Sequence, residues 1–103
     1  MDSAIHDTLG NAYAQLGDTE AAAAQYELSA TLDPQGALAL GNLAAIHYGA
    51  GRIELALKYA RLARLAEPSS MERYRAEADI LRELGRNDEA SALLAQSGSP
   101  SLR

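Results

Sequence analysis

The chain has 103 residues, no Cys and a formal net charge of −5, and Ala and Leu lead its composition with 22 and 16 copies. Disulfides, thiolate catalysis and Cys-ligated zinc are excluded, no apolar run approaches the roughly 20 residues of a membrane span, and the acidic balance offers nucleic acid little cationic surface. Val is absent and the strongest helix formers dominate, so the expectation is a single all-α domain. The opening "MDSAIHDTLG" lacks the basic-then-apolar order of a signal peptide, which points to a soluble, cytoplasmic chain.

The first helix is predicted over residues 3–16 and breaks at Gly17, since a Gly inside a helix costs about 1 kcal/mol against Ala and marks an end or turn. A second helix, 19–32, follows with Asp18 as its N-cap, and "LDPQG" ends it because Pro34 disfavours helical backbone in the residue before it. The same sentence is then spoken again. Helices are predicted over 37–50 and 53–66 around Gly51, ending at "AEPSS" with Pro68, and over 71–84 and 87–96 around Gly85, with Asn87 as the last N-cap. The period is 34 residues: Gly17, Gly51 and Gly85 align, as do Ala22, Ala56 and Ala90, Pro34 and Pro68, and Leu9 and Leu43. The unit is helix, tight turn, helix, loop.

This pattern resembles the tetratricopeptide repeat family, whose 34-residue unit carries an aromatic, Leu-Gly, Tyr, then Ala, an aromatic and Pro. The first unit supplies Leu9, Gly10, Tyr13, Ala22, Tyr26 and Pro34, with His6 at the leading aromatic place. The second keeps Leu43, Ala56 and Pro68 but has Ala44, His47 and Ala60 elsewhere; the third keeps Tyr74, Ala78, Leu81, Ala90 and Leu94 but has Glu77 at a buried Leu place. The resemblance implies a right-handed α-solenoid of three antiparallel hairpins: repeat 1 at 3–36, repeat 2 at 37–70, a truncated repeat 3 at 71–97 and a flexible tail at 98–103. In such stacks the small Ala lets two helices approach, while Leu9, Tyr13, Leu43 and Tyr26 are expected to fill the space between hairpins. No polar solvating helix follows Ser97, which implies a piece of a longer array or an end covered by a partner.

His6 and His47 sit at aromatic places of the unit and are expected to pack rather than to bind metal or transfer protons. No serine lies in a nucleophile turn and "GNAYAQLG" lacks the Gly-Lys-Ser/Thr ending of a phosphate loop, so catalytic, cofactor and metal residues are all expected to be absent. Charge is uneven. Residues 3–36 hold five acids and no base, whereas residues 37–70 hold Arg52, Lys58, Arg61 and Arg64 against two acids. That basic stretch reads as a solvated outer face, or as a contact for an acidic partner.

The family binds partners in a concave groove lined by the first helix of each hairpin. The resemblance therefore implies Asp7, Asn11 and Gln15, then Leu38, Asn42, Ala45 and Tyr48, then Arg75, Asp79 and Arg82 as partner-binding residues, with Glu83 adjoining. Asn11 and Asn42 match asparagines that hold a peptide backbone in some members, and Gly41 and Gly49 permit close approach. A subset clamps acidic chaperone tails with additional Lys and Arg, but the matching places here carry Asp7, Glu72 and Ala76, which excludes that specificity. The expected function is a non-enzymatic module that binds a peptide or helix of another protein; the alternative is a structural unit that self-associates through its terminal repeats.

Overall fold

The computed structural model describes residues 2–97. Among these described residues six helices follow one another: α1 (Ser3–Gln15), α2 (Thr19–Leu32), α3 (Ala37–Gly49), α4 (Ile53–Ala66), α5 (Met71–Glu83) and α6 (Asn87–Gln96). Each packs mainly on the next in chain order, giving three antiparallel hairpins in a stack of 45 × 26 × 20 Å. The fold is an all-α solenoid of helical hairpins. The predicted tail at 98–103 lies outside the described residues.

The periodic glycines close each hairpin in the same way. Gly17, Gly51 and Gly85 have φ of 83°, 82° and 78°, a left-handed conformation that a Cβ disfavours. The residues after them donate backbone N–H bonds five positions back, Asp18 to Tyr13 at 2.9 Å, Arg52 to His47 at 2.8 Å and Arg86 to Leu81 at 2.8 Å. Each glycine also donates three positions back, so the exposed carbonyls of the outgoing helix are satisfied twice. This motif sets where the next helix begins, which corrects one expectation: the last N-cap is Arg86, and Asn87 is already helical. Asp18 is the only one of the three equivalent cap residues with a side chain that accepts, from the Ala21 N–H at 3.1 Å.

Ala22, Ala56, Ala78 and Ala90 are fully buried, and Leu43, Leu81 and Tyr26 surround them with almost no exposure. Leu9 departs from its expected role. It is 40% exposed, because it faces the outer side of the first hairpin, where the described residues supply no neighbour, whereas its equivalent Leu43 is buried. The irregular positions of the second unit compensate one another. Tyr26 lies against Gly10, where a Cβ would stand 2.6 Å from the ring; at the equivalent places the second hairpin has Ala44 and Ala60, and its aromatic moves one residue earlier to Tyr59.

Glu77 is 1% exposed at a place the repeat gives to Leu. Its two carboxylate oxygens accept from Arg61 Nε at 2.9 Å and Arg64 Nε at 2.6 Å, joining α5 to α4. The Arg64 guanidinium also lies 5.5 Å from the Tyr74 ring. The basic stretch is therefore not one uniform solvated face: Arg61 and Arg64 neutralise a buried acid, the exposed Arg52 bonds through Nε to His47, and Lys58 rests 5.5 Å from the Tyr59 ring. Between α2 and α3 the same positions read Glu27, Ala30 and Leu43 in place of Arg61, Arg64 and Glu77. An ion triad has replaced an apolar contact.

Two outcomes test this packing by chemical denaturation. Gly10→Ala should destabilise by about 1–2 kcal/mol, overpacking outweighing the helix preference of Ala, and should instead stabilise by up to about 1 kcal/mol when Tyr26→Ala has emptied the space. Glu77→Gln should cost about 3 kcal/mol by leaving two guanidinium groups without their counter-charge, whereas Glu77→Leu combined with Arg64→Ala, which copies Leu43 and Ala30, should recover stability to within about 1 kcal/mol of the parent.

Candidate peptide-binding groove

The first helices of the three hairpins, α1, α3 and α5, carry the predicted groove residues. Between α3 and α5 a cleft of about 260 Å³ opens, lined by Gly41, Ala44, Ala45, Tyr48, Ala76, Asp79 and Ile80. The small residues give it depth; the Tyr48 ring and Ile80 give it apolar walls. Tyr48 is 42% exposed and donates its hydroxyl to Glu83 Oε1 at 3.3 Å. The Glu83 carboxylate, with some burial, the hydrogen bond and the more distant Asp79 charge, holds the Tyr48 phenol above its ordinary pKa. Asp79 is itself loosely paired with Arg82 at 3.5 Å, both side chains being open to solvent.

Of the ten predicted residues, Ala45, Tyr48 and Asp79 line this cleft, and Arg82 reaches it through Asp79. Leu38 is 55% exposed and lies outside it, as do Asp7, Asn11, Gln15, Asn42 and Arg75. Asn11 is already engaged, its side-chain oxygen accepting the Tyr26 hydroxyl, and the Asp7 charge and burial together raise the Tyr26 phenol, burial contributing more. Asp7 Oδ1 is buried with no partner among the described residues. Gly41 does not leave open space as expected: a Cβ there would run into Arg73 Nη1, so the guanidinium of Arg73 covers it, held through Nε to Glu67 at 3.0 Å. Ala44 and Ile80 were not expected in the site, and Ala76 was expected there only as a place without a clamping cation. A cleft between two helices takes its walls from their flanks, which a single helical face does not show.

Both histidines are buried. His6 Nδ1 lies 2.8 Å from Gln25 Oε1, and His47 stacks on Tyr59 with ring centroids 5.4 Å apart and planes 12° from parallel. Arg52 Nε donates to His47 Nδ1 at 2.9 Å, so the ring hydrogen sits on Nε2, which is buried without a partner among the described residues. No group of three or more His, Asp or Glu side chains among the described residues is placed to hold a metal ion. No helix among them is long and apolar enough to cross a membrane.

This geometry defines a helical-hairpin repeat protein with an open, apolar-lined inner cleft. Residues 4–35 match the tetratricopeptide repeat family model. The fold is similar to that of the second tetratricopeptide-repeat domain of Spaghetti (RPAP3) bound to HSP90 peptide SRMEEVD, at 22% identity and a TM-score of 0.82, covering 94% of this chain and 90% of that one. It is similar also to the N-terminal domain of stress-induced protein-1 (STI-1) from C. elegans, at 17% identity and a TM-score of 0.82, over 94% and 82% of the two chains. MamA AMB-1 matches at 20% identity and a TM-score of 0.81, and there the chain spans 54% of the longer protein. No curated protein sequence matches the chain. The first hairpin thus matches the tetratricopeptide repeat by sequence, and the fold along the described length is similar to that of solved tetratricopeptide-repeat structures.

Burial lowers the His47 pKa from its ordinary value and the Arg52 charge lowers it further, against smaller opposing effects of Glu27 and Glu20. The unfolded chain therefore binds this proton more tightly, and the stability that neutral His47 contributes is present above about pH 6.5 and lost as pH falls through the folded value. His47→Tyr, which copies Tyr13, should narrow its stability deficit, or widen its advantage, relative to the parent between about pH 7.5 and pH 5; denaturation midpoints of the two chains at both pH values check this.

Proposed function

We propose that this protein is an interaction module that holds a peptide or helix of a partner protein in the groove of α1, α3 and α5. The cleft between α3 and α5 carries the reading: an apolar hollow edged by a phenol and two carboxylates suits one buried anchor with polar groups fixing its orientation. A peptide-bound protein of the same fold supports the mode of binding, but its acidic peptide is not the expected ligand here. Asp7, Glu72 and Ala76 offer no cation at the places that would clamp extra carboxylates.

Peptides selected on the intact chain from a displayed library, followed by calorimetry on variants, test the proposal. Tyr48→Ala should weaken binding by about 1–3 kcal/mol, whereas Lys58→Glu, beside the hollow on the α2 and α4 side, should leave it within about 0.5 kcal/mol. The opposite ranking transfers the site to that outer hollow. Arg61 is unsuited as an outer control because it is tied to Glu77.

Self-association is a second reading, favoured by the exposure of Ile5 (44%) and Leu9 (40%) where the equivalent Ala39 and Leu43 are buried against the preceding hairpin. Sedimentation of the chain alone across a concentration series separates the two, since only this reading requires assembly without a foreign partner.

A further inference from the structure

The two ends of the α3/α5 cleft differ in charge. At one end Arg73 lies over Gly41, its charge paired with Glu67 at 3.0 Å. At the other end stand two carboxylates, Asp79 and Glu83. Asp79 shares an exposed 3.5 Å contact with Arg82, an arrangement that solvent screens heavily. Glu83 accepts only the Tyr48 hydroxyl, and no Lys, Arg or His among the described residues comes within salt-bridge distance of it. The unneutralised charge at the cleft is thus negative and sits beside the Tyr48 ring, whose raised phenol pKa reports the same field.

We infer that the cleft selects a partner segment in which one bulky aliphatic or aromatic side chain is accompanied, within a residue or two, by Lys or Arg. The apolar side chain enters between Tyr48 and Ile80 over Ala45 and Ala76, and the cation meets Glu83 and Asp79 at the rim. This rests on the groove reading above and adds to it the charge of the partner. A carboxylate at the same place would face Glu83 without a guanidinium to shield it, so the preference runs opposite to that for an acidic tail. A cation at this rim gains from the carboxylates and from the electron-rich face of the phenol ring, both effective at short range.

The test uses a phage-displayed library of random dodecapeptides selected on the intact chain. Selected peptides should be enriched in Leu, Ile, Phe or Met with Lys or Arg within two positions. One such peptide is then synthesised with its base kept, changed to Gln or changed to Glu. Affinity should fall about threefold for Gln and about tenfold for Glu, and the base-containing peptide should weaken as salt is raised. In the Glu83→Gln, Asp79→Asn double variant the three peptides should bind within about twofold of one another. Equal binding of the three peptides to the parent chain, or enrichment of acidic peptides, overturns the inference; if Tyr48→Ala still weakens binding, the groove reading stands without it. Binding indifferent to Tyr48→Ala, or a library that yields no binder, overturns both.

Discussion

The close approach of paired helices at Ala22, Ala56 and Ala90 is the constraint from which the architecture follows. All three are fully buried, one per hairpin at the same place, and each brings its helix against the partner closely enough that larger neighbours fill the remaining space. A hairpin held this way still exposes an apolar flank, so it must stack on another. Stacking in one direction separates first helices from second helices and leaves the first helices side by side. The cleft between α3 and α5 is the gap that this arrangement leaves.

Departures from the repeat are tolerated because they occur in compensating sets. Gly10 with Tyr26 becomes Ala44 with Ala60, volume lost at one place being restored by Tyr59 stacked on His47. The junction of α4 and α5 changes its chemistry altogether, burying Glu77 between Arg61 and Arg64 where α2 and α3 bury Leu43. Such a triad adds little net stability over an apolar contact, because desolvating the charges offsets their attraction. Its directional bonds fix how α5 lies on α4, and α5 forms one wall of the cleft.

Electrostatics divides the molecule differently from a count of charges along the chain. In the basic second repeat Arg61 and Arg64 share the charge of Glu77, whereas Arg52 bonds the neutral His47 and keeps its own charge, so the free cations are fewer than the sequence holds. The inner surface retains Glu83 beside Tyr48 and gains no clamp of basic residues. A shared fold does not by itself define a ligand, so the peptide held by one structure of this fold does not name the ligand of another.

Local chemistry made the helices legible from sequence. Ala- and Leu-rich stretches, glycines that must adopt positive φ, and Pro34 and Pro68 act over a few residues, and the predicted boundaries fall within one residue of those observed. The six-helix repeat and the burial of His6 and His47 followed from the same 34-residue register. The cap at Arg86 escaped because the turn geometry, not the capping preference of Asn87, sets the helix start. Which of the groove residues meet was decided by tertiary structure alone. Ala44, Ala76 and Ile80 join Tyr48 only because two hairpins lie side by side, and Arg73 covers Gly41 from 32 positions away in the chain. Likewise a Glu at a Leu place carries no sign in the sequence that two arginines on the preceding helix will meet it. Propensity and periodicity report on single helices, whereas clefts and ion pairs belong to the space between them.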